Sequence, residues 1–199
     1  SGCDITFTIV NAASAVFNLF KDKTIASGVR EIMPQCDFAS RATGYDLRFW
    51  DKGSEEHFRK HIVDYDIFIN SSFICGGGQL QLLEACHSEW STKGVKGHII
   101  NIGSSAEFIG PTNTLDEIYG KYSIQKRALR DRSLQLSGVN SIRTTHMTLG
   151  GINDGKPGHE AWLKPIDIAT NIKWILEHEL DIKQIYIEQS YDANNTTMD

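Results

Sequence analysis

Cysteine is scarce in this 199-residue chain, and its four copies, Cys3, Cys36, Cys75 and Cys86, form no C-x-x-C pair and no metal-ligand spacing. That excludes a disulfide framework or a structural zinc site as the organising device. The thiols read as buried or idle groups in a reducing compartment, with the cytoplasm as the expected location. Long apolar runs are absent too: no tract of about 18 apolar residues occurs, so no membrane span is expected. The first residues lack the charged and apolar regions of a signal peptide. A basic excess is missing, since 20 Lys and Arg face 25 Asp and Glu for a formal net charge of -5. Nothing electrostatic therefore points to a nucleic-acid partner. No serine sits in a Gly-x-Ser-x-Gly elbow, which disfavours an α/β-hydrolase. No Gly-Lys-Ser or Gly-Lys-Thr occurs, which disfavours a P-loop nucleotidase. Of seven histidines only His57 and His61 share helical i,i+4 spacing, and no Glu-bearing zinc motif surrounds them. They read as a solvated helix face, and no metal is expected.

What is present is a chain of globular composition, 40% hydrophobic and 23% charged, long enough for one sizeable domain over residues 1–199. Short β-branched and aromatic runs predict strands at Ile5–Val10, Cys36–Ser40, Tyr45–Phe49, Asp66–Asn70, His98–Ile102, Ser141–Thr148 and Ile185–Ile187. Helical patterns fall between them. One starts at Ser54, with a capping serine and acids in the first turn, and runs to about Ile62. Others cover Leu80 to about Trp90, the region of Tyr122 to Leu136, and Pro165–Glu177 with its early proline. Between Asp22 and Gln35 a helical pattern is interrupted by Gly28 and Pro34. A polar loop is expected from Gly103 to about Tyr119, and a loose tail over residues 190–199. The strands are continuously apolar and alternate with helices, which argues for a parallel sheet covered on both faces. The expected fold is a single doubly wound, Rossmann-like α/β domain of about seven strands.

Tyr122 and Lys126 lie four positions apart, hence on one helix face. A phenol titrates near 10, too high for good general acid–base work at neutral pH, and a neighbouring ammonium lowers that value. The pair has the makings of a tuned proton donor. In a doubly wound sheet, ligands bind beyond the carboxyl ends of the strands. Asn11 to Ser14, Asn70 to Ser72, Ser104, and Gly150 to Asn153 all follow predicted strands there. Ser104 precedes the Tyr122 helix, so its hydroxyl is placed to share a bound carbonyl oxygen with the phenol.

The order of these parts resembles the short-chain dehydrogenase/reductase family. The matching pieces are Asn101-Ile102-Gly103-Ser104, Tyr122-x-x-x-Lys126, and Pro165-Ile166-Asp167-Ile168-Ala169 before the last helix. Asp66-Ile67-Phe68-Ile69-Asn70 looks like the family's fourth strand, and Leu149-Gly150-Gly151-Ile152-Asn153 like the loop after its sixth. The resemblance covers nearly the whole chain. It implies an oxidoreductase that reduces a small-molecule carbonyl or oxidises a secondary alcohol. Tyr122 would be the proton donor or acceptor. Lys126 would lower the Tyr122 pKa and hold the nicotinamide ribose, and Ser104, with Ser105 as the neighbouring candidate, would bind the reacting oxygen. Asn70 would belong to the cofactor site, and Ile152 and Asn153 would lie near the nicotinamide carboxamide. Arg41, in Ser40-Arg41, looks like a 2′-phosphate anchor and favours NADP over NAD. Asp46, with Asp51 as the competing candidate, looks like the adenine-contacting aspartate. The resemblance also implies a homodimer or homotetramer, through faces such as Leu80–Trp90 and Leu129–Leu136, which fit the interior of one chain equally well.

The departures are specific. On this alignment Asn11-Ala12-Ala13-Ser14-Ala15-Val16-Phe17-Asn18 stands where the family has its glycine-rich turn, and all three glycines are missing. Those glycines let the pyrophosphate approach the backbone. Asn11, Ala12 and Ser14 remain the candidates, with the Ser14 hydroxyl and a helix N-terminus as phosphate partners. The family's catalytic asparagine aligns with Gly76 or Gly77, leaving Gln79 or Gln81 as substitutes. The region Phe108 to Glu117 is longer than in compact relatives and should reshape the substrate mouth. These departures support a second expectation, a catalytically inactive relative that serves as a binding or oligomeric scaffold.

Overall fold

The computed structural model describes residues 25–27, 52–71, 78–109, 117–153 and 157–189. The strands expected at Ile5–Val10, Cys36–Ser40 and Tyr45–Phe49, and the 190–199 tail, lie outside the described residues. Within them, five strands form one parallel sheet in the order β1 (Ile25–Ser27), β2 (Ile67–Asn70), β3 (His98–Ile102), β4 (Arg143–Leu149) and β5 (Gln184–Ile187). Four helices connect or flank them: α1 (Lys52–Ile62), α2 (Gly78–Lys93), α3 (Glu117–Leu136) and α4 (Pro165–Glu177). This is the expected doubly wound arrangement. Parallel neighbours need long crossovers, and here helices supply them.

β2 and β3 read as apolar because both their faces are covered, whereas β5 at the edge leaves Gln184 and Tyr186 exposed. Ile67, Ile69, Ile100, Ile102, Met147 and Leu149 pack with Ile168, Ile172 and Ile175 of α4 on one face. Phe68 and Ile99 point the other way and pack with Phe58 and Ile62 of α1, Leu82, Leu83, Cys86 and Trp90 of α2, and Leu129 and Leu136 of α3. Leu82, Leu83, Trp90, Leu129 and Leu136, offered above as subunit faces, are thus buried in the chain's own core. Trp90 also donates its indole N–H to the Ile62 carbonyl at 2.8 Å, tying α2 to the end of α1. Burial pushes the Cys86 thiol pKa well up, leaving it an inert core group.

Several boundaries differ from expectation. Ile25–Ser27, inside the interrupted helical pattern, is a strand, because parallel pairing with Ile67–Ile69 outweighs a weak local preference. α1 starts at Lys52, so Ser54 lies within it and is not its cap. Ser141 belongs to a short 3-10 turn, Val139–Ser141, and β4 begins at Arg143. The polar loop after β3 opens with a 3-10 turn, Ser105–Phe108, and α3 already starts at Glu117.

Candidate active site

The site lies at the carboxyl ends of β2, β3 and β4. Lys126 is its centre. On α3 the residue is only 4% exposed, and its ammonium donates to the Gln79 side-chain oxygen at 2.8 Å and to the Ile102 carbonyl at 2.9 Å. Burial disfavours the charged form and lowers its pKa from 10.5 to about 7, with the Glu107 carboxylate opposing the shift. The ammonium nitrogen sits 5.5 Å from the centroid of the Tyr122 ring, as the i,i+4 spacing requires. Tyr122 itself is half-buried.

Gln79 is the residue that joins three elements. Its side-chain amide donates to the Asn70 and Ile102 carbonyls at 2.7 and 3.0 Å while its oxygen receives Lys126. Asn70, at the end of β2, donates to the Gln79 backbone carbonyl at 2.9 Å and to the Asn101 side-chain oxygen at 2.8 Å. Asn101 in turn donates to Ser133 of α3 at 3.1 Å. Every member of this chain is buried. Of the two glutamines considered, Gln79 is the one within the site, and Gln81 is exposed.

Ser104 caps the 3-10 turn at the end of β3, and its Oγ accepts from the Ala106 N–H at 3.3 Å. Among the described residues no hydrogen bond runs directly from Ser104 to Tyr122. The link is the turn itself, which α3 grips at two points. Ser123 Oγ reaches the Ala106 and Ile109 carbonyls at 2.7 and 3.0 Å, and Arg127 donates to the Glu107 and Ile109 carbonyls at 3.1 and 2.9 Å. Each gripping residue immediately follows Tyr122 or Lys126. Beneath the turn, Glu107 accepts from Thr148 at 2.5 Å and pairs with His146 Nε2 at 2.9 Å, all three side chains being buried. Gly103 has to be glycine: a Cβ there would stand 2.3 Å from His146 Nε2 and 3.0 Å from Glu107 Oε2.

The loop after β4 turns back on itself. Asn153 N–H donates to the Leu163 carbonyl at 2.9 Å, and Leu163 N–H to the Gly151 carbonyl at 3.0 Å. The Trp162 ring covers Gly151, where a Cβ would come within 2.7 Å of it, and His159 stacks on Trp162 with centroids 3.6 Å apart. Ile152 is buried in this loop. Asn11, Ala12, Ser14, Arg41 and Asp46 lie outside the described residues.

Sequence reasoning missed Ser123, Arg127, Glu107, His146 and Thr148. One signal was available. Ser123 and Arg127 repeat the i,i+4 spacing one position on, and His146 and Thr148 alternate with the apolar Met147 and Leu149 on their strand.

No groups of three or more His, Cys, Asp or Glu placed to hold a metal ion occur among the described residues, nor does a helix long and apolar enough to cross a membrane. Two buried oxygens at the end of β2, Asn70 Oδ1 and Ser71 Oγ, have no hydrogen-bond partner among the described residues. They stand where a bound ligand is expected in such a sheet, so the residues present fit a polar cofactor.

No protein-family model matches the sequence, and no curated protein does. Solved structures do match. A closed serine dehydrogenase complexed with NADP+ is 18% identical with a TM-score of 0.65, covering 91% of this chain and 93% of that one. A short-chain dehydrogenase from Bacillus anthracis is 16% identical with a TM-score of 0.66, covering 90% of each chain. A 4-hydroxyisoleucine dehydrogenase complexed with NADH is 16% identical with a TM-score of 0.64, covering 91% of this chain and 93% of that one. The fold of this chain is therefore that of the short-chain dehydrogenases/reductases.

Proposed function

We propose that the chain is a divergent short-chain dehydrogenase/reductase that uses NADP or NAD to reduce a carbonyl or oxidise a secondary alcohol. The observation that carries this reading is Lys126, a buried ammonium with a pKa lowered to about 7, held against the Tyr122 ring at the strand ends. The NADP+ and NADH bound in similar folds support it. The nicotinamide supplies the hydride, and the chain supplies position and protons. Tyr122 gives its phenolic proton to the substrate oxygen in reduction and removes it in oxidation. Lys126 favours the phenolate and holds the nicotinamide ribose. Ser104 hydrogen-bonds the reacting oxygen, and Gln79 takes the place of the family's asparagine by fixing Lys126. Asn70 meets the cofactor with its free oxygen, and Ile152 and Asn153 flank the carboxamide. Arg41 favours NADP, and Asp46 contacts the adenine.

For the phosphates there are two candidate runs. Asn11, Ala12 and Ser14 are one. The other begins at Gly28, which follows β1, and β1 is the strand beside β2 in the sheet. The charge on Lys126 sets the pH response: it is present below about 7 and lost above, so stabilisation of the phenolate fades as pH rises through that value.

Titration with NADPH and NADH, followed by cofactor fluorescence, tests the proposal. Saturable binding of at least one is expected, and binding of neither at millimolar concentration overturns it. The glycine-poor Asn11–Asn18 run favours a second reading, an inactive relative that binds or assembles as a homodimer or homotetramer. Carbonyl turnover that disappears in Tyr122→Phe rules that reading out. The cytoplasm remains the proposed location.

A further inference from the structure

The 3-10 turn after β3 contains a buried acid with no role in the reaction above. Glu107 is 1% exposed and His146 and Thr148 are fully buried, so the carboxylate is shielded from bulk solvent. It is held instead by the Thr148 hydroxyl and His146 Nε2, both on β4 and both pointing to the α3 side of the sheet. A buried ionised carboxylate is costly unless paired. The direct partners of the Lys126 ammonium are a neutral amide oxygen and a backbone carbonyl. The ammonium bonds the Ile102 carbonyl at 2.9 Å, and a Cβ on the next residue, Gly103, would stand 3.0 Å from Glu107 Oε2, so the two groups lie on either side of one short stretch of backbone, and the carboxylate opposes the effect of burial on Lys126.

We propose that Glu107 is the positioning residue of this site: a buried carboxylate, clamped by Thr148 and His146 beneath the Gly103–Ser104 turn, that serves as counter-charge to Lys126. The inference rests on the reading of Lys126 as the group that tunes Tyr122. Several groups face this pair. From α3 come the Tyr122 ring, over which Lys126 lies, and the Arg127 guanidinium, which binds the Glu107 backbone carbonyl. From β4 come His146 and Thr148, and from α2 the neutral Gln79. Gln79 and the Tyr122 ring also favour the ammonium but are neutral, and Arg127 opposes it, so Glu107 is the one carboxylate among these side chains. Gly103 completes the geometry, because any Cβ there would push into both members of the Glu107–His146 pair.

The test is a pH titration of Lys126 by NMR of 13Cε-lysine-labelled protein without cofactor or substrate, the resonance assigned by its loss in Lys126→Met. In the native chain Lys126 should titrate near about 7. In Glu107→Gln, which keeps the shape and removes the charge, it should titrate lower by about one pH unit. Glu107→Asp should restore most of the difference. An unshifted Lys126 in folded Glu107→Gln overturns the proposal. Where that variant does not fold, the native chain decides: the Glu107 13Cδ resonance, assigned through Ala106 and Phe108, should step at the pH where Lys126 titrates. A flat Glu107 resonance through that pH overturns it too. Because no cofactor is present, a chain that binds neither NADPH nor NADH but shows the coupling loses the oxidoreductase reading and keeps this one.

Discussion

Both faces of the sheet bury an apolar cluster, but the α3 side also carries a buried polar network that joins α2, α3 and three strands. Toward α4, Met147 and Leu149 of β4 join an aliphatic cluster with Ile168, Ile172 and Ile175, and Thr145 on the same face pairs with His98. Toward α3, the same strand buries Thr144, His146 and Thr148, and β2 and β3 add Asn70 and Asn101. The first face gains stability by removing apolar surface from water, about 25 cal/mol per Å2. The second gains little net stability from its hydrogen bonds, yet each group it buries would be costly if left unpaired. The difference shows where geometry is held. A buried hydrogen-bond network has few alternative arrangements, so these polar contacts hold Lys126, Gln79 and the Ser104 turn in one position.

The comparison can be broken most sharply at its chemical end. Tyr122→Phe should reduce turnover by about 10²- to 10⁴-fold while leaving the circular dichroism spectrum unchanged, as read by NAD(P)H absorbance. Next in size, Ile172→Ala on the apolar face should destabilise by about 2–5 kcal/mol in urea denaturation, with the Lys126 titration unmoved. Ser123→Ala should do the reverse. It releases two carbonyls of the Ser104 turn, so a loss in kcat should exceed any loss in stability, which we place at about 1 kcal/mol. The pH dependence of stability gives a subtler contrast. Lys126 titrates lower in the folded chain, near about 7, than its ordinary 10.5. Between those values the unfolded chain binds more protons, so the contribution of Lys126 rises with pH across that window. Lys126→Met should remove this rise in urea denaturation measured from pH 7 to 10. Smallest of all, Arg132→Ala removes an exposed pair with Glu84 at 3.0 Å and should change stability by less than about 1 kcal/mol.

The apolar plan was the more legible in the sequence. His98–Ile102 and Pro165–Glu177 have the bounds expected from a β-branched run and from a proline followed by helical periodicity. Hydrophobic patterns report burial, and burial is what the α4 face consists of. Lys126 and Tyr122 were legible for a different reason: i,i+4 spacing is geometry written directly in residue numbers. Glu107, His146 and Thr148 were not. Their meeting depends on β3 and β4 lying side by side with Asn101 opposite His146, a tertiary register that no local pattern encodes. The strand at Ile25–Ser27 was missed likewise, since its pairing with β2 decides it rather than its own three residues.

The Trp162 ring lying over Gly151 has a spectroscopic consequence. Of the chain's four tryptophans, Trp90 is sealed in the core and Trp174 is exposed on α4, whereas Trp162 covers the loop that carries Ile152 and Asn153. Its stacking partner His159 is a quencher that gains strength on protonation. The share of emission that comes from Trp162 should therefore follow the backbone of the Gly151–Asn153 loop.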